Sequence, residues 1–263
     1  MIGRTPMVPK AARYLSPILL LIFPALSASL VREEKALDVG GAAETWKLEW
    51  KQSPVAACAV DNADAFTCPC AGFAYGEQGP VNLIRMRGDR VIERLALAPF
   101  FTRDGGWGEP ILQQWPRLPE DNITVDARDL AKRAQARGLA TVMDFVDYDH
   151  DGQSAEFFLQ TGTRPCGKQV GVVIGVSPGR DKLHAFGSAL HPGRPLYLQK
   201  QQWDALRTSA GPVKVLDRAC GDQGSIKEIE IELEATGSAI RAFRIEYGCT
   251  EKRRGKLLVR KQL

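Results

Sequence analysis

Only three histidines occur in the 263 residues, and the sequence has no Walker loop, no His-Glu-x-x-His motif and no dinucleotide-binding glycine fingerprint. Those gaps exclude the nucleotide-, zinc- and dinucleotide-dependent enzyme classes that these motifs mark. An excess of charge of one sign is also lacking. The net charge is +4, and Arg4, Lys10 and Arg13 fall within a first stretch of 30 residues that contains no acid, so the remainder nets only +1. A nucleic-acid partner, which requires a basic face, is therefore not expected. Helical periodicity is sparse, no close internal repeat occurs, and beyond Leu26 no apolar run is long enough to cross a membrane.

The first stretch has the order of a signal peptide. Three basic residues precede an apolar run from Tyr14 to Leu26, and Ser27, Ala28 and Ser29 offer a cleavage site. Pro17 and Pro24 interrupt the run, which falls short of the roughly 20 apolar residues of a membrane anchor. Residues 1–29 are expected to be removed and the chain to be secreted or periplasmic, with no membrane span after cleavage. All six cysteines, Cys58, Cys68, Cys70, Cys166, Cys220 and Cys249, lie beyond this leader. An even number in an exported chain implies disulfides, whereas the spacing of Cys58 and Cys68-Pro69-Cys70 matches no common zinc pattern.

The prevailing period after the leader is two, which predicts a mainly β fold of antiparallel sheets, propeller-like or sandwich-like, with one or two short helices. Trp46, Leu48 and Trp50 alternate first. Residues 81–87 and 90–97 flank Gly88-Asp89 as a hairpin, and residues 169–176 turn through Pro178-Gly179-Arg180-Asp181 into a second. Further on, Ile229, Ile231 and Leu233 alternate with Glu228, Glu230, Glu232 and Glu234, one face apolar and the other a carboxylate row offset by Arg241 and Arg244. Helices are expected over 126–137 and 201–207. The glycine- and proline-rich segment 100–122 reads as a long loop or a join between sheets. These signals give one β-rich domain over 30–250, with possible sub-units 30–100 and 139–250, and a basic, solvated C-terminal tail over 251–263.

The sharpest chemical signal is Asp147-Tyr148-Asp149-His150-Asp151-Gly152-Gln153-Ser154-Ala155-Glu156. Alternating aspartates curl their carboxylates round one centre, and the glycine permits the sharp bend. Such all-oxygen chemistry suits calcium, a hard cation taking 6–8 oxygen ligands. The candidate ligands are the side chains of Asp147, Asp149, Asp151 and Glu156, with Gln153 contributing through its carbonyl. An EF-hand would place a glutamate twelfth from Asp147, where Phe158 stands, and would be flanked by helices. Here an apolar run over 139–146 leads in and Glu156-Phe157-Phe158-Leu159 leads out, so both flanks read as strands. Through Asp147, Asp149, Asp151 and Gly152, the segment from Leu139 to Leu190 resembles the calcium loops of FG-GAP or VCBS repeats, also used by the integrin α-subunit propeller. That resemblance implies a loop within a propeller blade and an ion that fixes structure without doing chemistry.

Other motifs point less sharply. Gly175-Val176-Ser177-Pro178-Gly179 spells a nucleophile elbow, but Pro178 has no N–H to give an oxyanion hole, and His184 and His191 follow too soon for the usual order of acid and histidine. A β-turn is expected instead. Arg87-Gly88-Asp89 is good turn chemistry, Asn122-Ile123-Thr124 is a glycosylation acceptor only in a eukaryotic secretory pathway, and His150 is expected to face solvent between the ligands. The sequence thus reads as an exported, disulfide-bonded module with one structural calcium ion, its partner an extracellular or periplasmic protein or glycan. A secreted hydrolase of carbohydrate or a similar polymer is the alternative, using acids that meet only in the fold and Trp107, Trp115 or Trp203 along a cleft. A structural envelope or matrix protein is the third reading.

Overall fold

The structure, a computed structural model, describes residues 30–57, 75–102, 108–116, 127–164, 168–237, 239–251 and 253–263. The leader, Cys58, Cys68, Cys70, Cys166, Trp107 and the Asn122 acceptor lie outside them.

Strands β1 (Val31–Val39) and β2 (Ala42–Trp50) form the first hairpin. Two short strands follow, β3 (Val55–Ala57) and β4 (Gly76–Gln78), before the hairpin of β5 (Val81–Arg87) and β6 (Arg90–Ala96). β7 (Ile111–Gln113) lies in the segment read as a long loop, and α1 (Ala127–Ala136) follows where a helix was expected. β8 (Glu156–Arg164), β9 (Lys168–Ser177) and β10 (Arg180–Ala185) make a meander. β11 (Gly187–Ser188), β12 (His191–Pro195) and β13 (Leu198–Gln199) then lead into α2 (Lys200–Arg207). β14 (Val213–Arg218), β15 (Lys227–Ala235), β16 (Ile240–Thr250) and β17 (Arg253–Gln262) complete the order.

The protein is mainly β; among the described residues there are four sheets, in which antiparallel pairing dominates and none closes into a barrel. One sheet runs β1-β2-β5-β6; a second runs β10-β9-β13 with β8 on β9; a third runs β12-β11-β16-β15-β14 with β17 on β16; β3-β4-β7 make a small fourth. The second sheet is the middle layer. On β9, Val172, Ile174 and Val176 enter a core shared with Trp46, Leu48 and Trp50 of β2. Its Val173 faces a second core with Trp203 and Leu206 of α2 and Ile229, Ile231 and Leu233 of β15. Burial on both faces explains why every residue over 170–176 is apolar or glycine.

Two expectations are corrected. Residues 139–146 do not form a strand; only Val146 bridges Glu156. Their backbone is held by side chains of β1: the Arg32 guanidinium donates to the Ala140 carbonyl at 3.0 Å, and Glu33 accepts from the Val142 N–H at 2.7 Å. An apolar run thus reaches the core without a strand partner. The basic C-terminal run is exposed, as a tail would be, but forms the ordered strand β17. Arg254 pairs with Glu228 and Glu230 and lies over Tyr247, and Arg260 bonds Glu232 and lies over Phe243. Arginines of β17 therefore cover most of the carboxylate row of β15. Of the two expected there, Arg241 pairs with Glu234 but Arg244 turns to Glu246.

Candidate metal centre

The acidic loop is closed at its neck where the Val146 N–H donates to the Glu156 carbonyl at 2.8 Å. Inside, each aspartate folds the backbone round itself, as short acidic side chains do in turns. Asp147 accepts from the N–H groups of Asp151 (3.1 Å) and Gly152 (2.9 Å), Asp149 from Asp151 (3.1 Å), and Asp151 from Gln153 (2.7 Å). The bend requires left-handed backbone at His150 (φ 59°) and Gly152 (φ 90°), the second free of strain because glycine has no Cβ.

Two side chains anchor the loop to distant elements. The Gln153 side-chain carbonyl accepts from the Gly40 N–H at 2.6 Å, at the β1–β2 turn. His150 Nε2 donates to the Leu206 carbonyl at 2.9 Å, in the last turn of α2. The histidine thus braces the loop against α2 and is not the free, solvent-facing side chain expected.

One carboxylate oxygen from each of Asp147, Asp149 and Asp151 lies within 4.8 Å of the others. Glu156 is not in that close trio, but its charge interacts with all three. Asp149 is 3% exposed and Glu156 is fully buried. Glu156 accepts from the Tyr148 N–H at 2.9 Å through one oxygen, yet its other oxygen, Oε1, and Asp149 Oδ2 are buried with no hydrogen-bond partner among the described residues. Burial pushes the Asp149 carboxyl up to about 7, with the Asp151 and Asp147 charges raising it further and the Asp151 N–H pulling against them. Burial likewise pushes Glu156 up to about 9, opposed by the Tyr148 N–H and reinforced by the three aspartates. Buried carboxylates without donors are costly unless a proton or a cation neutralises them. The three converging aspartates and the buried Glu156 that interacts with them offer only oxygen, so the donor set fits a hard cation.

The competing motifs resolve into structural roles. Ser177 Oγ lies 3.3 Å from His184 Nε2, a pairing the sequence order did not suggest. His184 Nδ1 donates to the Lys182 carbonyl at 2.9 Å, so Nε2 accepts from the serine, and burial holds the imidazole below its usual pKa. Both residues are buried, so the pair pins the β9–β10 hairpin. Gly175 of the same motif is required by packing: a Cβ there would lie 2.6 Å from both the Ala155 carbonyl oxygen and Glu156 Cγ. Trp203 is fully buried, its indole N–H donating to the Gly171 carbonyl, and so lines no cleft; Trp115 packs against Tyr75. Cys220 and Cys249 form a disulfide, in keeping with the expectation for an exported chain.

Sequence reading missed the buried charge network at the β2–β5 pairing. Arg85, 1% exposed at its side chain, binds Glu44 twice at 2.8 Å and also reaches Glu93 and Asp181. Glu44 and Asp181 lie 41 and 96 residues from Arg85 and left no local signal. Compared with known proteins, the chain matches no family model, no curated protein and no solved structure.

Proposed function

We propose that the protein is an exported binding or interaction module whose acidic loop holds one structural calcium ion. The observation that carries this reading is the pair of buried, donorless oxygens, Asp149 Oδ2 and Glu156 Oε1, among three converging aspartates. A divalent cation would neutralise them and bring Asp147, Asp149, Asp151 and Glu156 to one centre. Because Gly40 occupies the Gln153 side-chain carbonyl, that residue's backbone carbonyl is the oxygen it has to offer.

A structural role is favoured over a catalytic one. The loop is tied through Gln153 to the β1–β2 turn and through His150 to α2, so an ion there would lock three parts of the fold together. Export is supported by the leader-like first 29 residues and by the disulfide, which persists in oxidising compartments. An extracellular or periplasmic protein or glycan is the partner class that follows. Calorimetric titration of the purified protein with calcium tests the ion: one site is expected, lost in Asp147→Asn, Asp151→Asn. Absence of binding heat at any calcium concentration up to millimolar would remove the reading.

A further inference from the structure

A second candidate site adjoins the loop. Between α2, β8 and residues 140–148 lies a cleft of about 220 Å³, smaller than the roughly 300–1,000 Å³ typical of drug-sized ligands. Its part-exposed apolar lining is Val142 and Phe158, and Gln160 and Gln169 also line it. The charges at its rim are unevenly committed. Lys200 bonds both oxygens of Asp204 at 2.8 Å and lies over the Phe158 ring, so its charge is already answered. Asp144 and Arg207 are exposed, line the same cleft, and have no ion pair among the described residues.

An uncommitted cation and an uncommitted anion with an apolar lining, in a volume suited to one small molecule, match a zwitterion with a hydrocarbon tail. We propose that this cleft binds a free α-amino acid with an apolar side chain, its carboxylate at Arg207, its ammonium at Asp144 and its side chain on Phe158 and Val142. A dependence on calcium follows in addition, and that part rests on the reading of the loop given above. Tyr148 stands between Asp147 and Asp149 with its N–H held by Glu156, and His150 holds the carbonyl of Leu206, the residue before Arg207. An ion in the loop would therefore fix two sides of the cleft.

The test is calorimetry and saturation-transfer NMR in calcium-containing buffer, with L-leucine, L-leucinamide and N-acetyl-L-leucine as probes. Leucine is expected to bind. Arg207→Gln should weaken leucine by about tenfold or more, the scale of a lost charge-assisted hydrogen bond, but leave leucinamide, which has no carboxylate, unchanged. Asp144→Asn should weaken leucine similarly and leave N-acetyl-leucine unchanged. Both side chains are exposed, so the variants should unfold at the parent temperature. No saturation transfer to leucine, or equal leucine affinity in parent and variants, overturns the proposal. If leucine binding fails while the calcium titration succeeds, the cleft falls and the loop stands; leucine binding without any calcium response leaves the cleft and removes the loop.

Discussion

A carboxylate with no exposed surface and one oxygen lacking a donor is costly to keep ionised, and Glu156 has both properties. Its folded pKa of about 9, and that of Asp149 near 7, stand above the ordinary values of 4.5 and 3.8. The sign follows from linkage: a raised folded value means that the native state holds its proton more tightly, so stability is full below the ordinary pKa and is lost as pH rises through the folded one. In chelator, the melting temperature should fall steadily between about pH 4 and pH 9, and saturating calcium should flatten that slope. Glu156→Gln keeps an acceptor for Tyr148 and removes the charge; it should raise the melting temperature in chelator at pH 8 and shrink the response to calcium. Arg85 presents the opposite case. Burial would push Glu44 up, but hydrogen bonds from Arg85, Trp46 and Arg87 together hold it below the usual range. Arg85→Met leaves that buried anion with only Trp46 and the half-exposed Arg87 and is expected to cost about 3 kcal/mol in urea denaturation, far more than loss of an exposed pair such as Lys47–Glu34.

At the scale of elements, β8 and β9 hold the candidate site because their backbones approach closely. A Cβ on Gly171 would lie 2.0 Å from the Leu159 carbonyl oxygen, so Gly171→Ala must push the strands apart. Gly88→Ala places its methyl in open space and meets only the strain of φ 55° at the β5–β6 turn. Urea denaturation should show about 1 kcal/mol lost for the turn variant and about 1–3 kcal/mol or more for the strand variant, with calcium affinity reduced only in the second. Hairpins and helices were legible in the sequence because their signals are local: Gly88-Asp89 at the turn, Gly138 after α1, alternation along β2 and β15. Residues 139–146 were misread because an apolar, β-branched run looks the same whether its amides meet a neighbouring strand or the side chains of Arg32 and Glu33, over a hundred residues away. β17 was misread for a related reason. A run of arginines looks solvated until β15 supplies carboxylates and β16 supplies aromatic rings beneath it.

Across the whole molecule, three layers share two cores, and the candidate centre lies where they meet: Gln153 reaches the β1–β2 turn of the first sheet, Glu156 opens β8 of the second, and His150 touches α2 against the third. The aspartates were legible because all three lie within five residues. The orphaned oxygens, the braces and the cleft were not, since each depends on burial by elements distant in sequence. The Cys220–Cys249 disulfide joins the β14–β15 connection to β16 across a separation of 29 residues; Cys220→Ser, Cys249→Ser should lower stability by about 2–4 kcal/mol without changing calcium stoichiometry. The most direct measurement is thermal unfolding of the purified protein in calcium and in chelator, beside Asp149→Ala, Asp151→Ala. At a hundredfold excess over the dissociation constant, an ion bound only by the native state adds about 2.7 kcal/mol, or roughly 5–10 °C for a chain of this size. A rise of that order in the parent and none in the double variant is the expected result; equal melting temperatures of the parent in calcium and chelator would contradict the calcium loop.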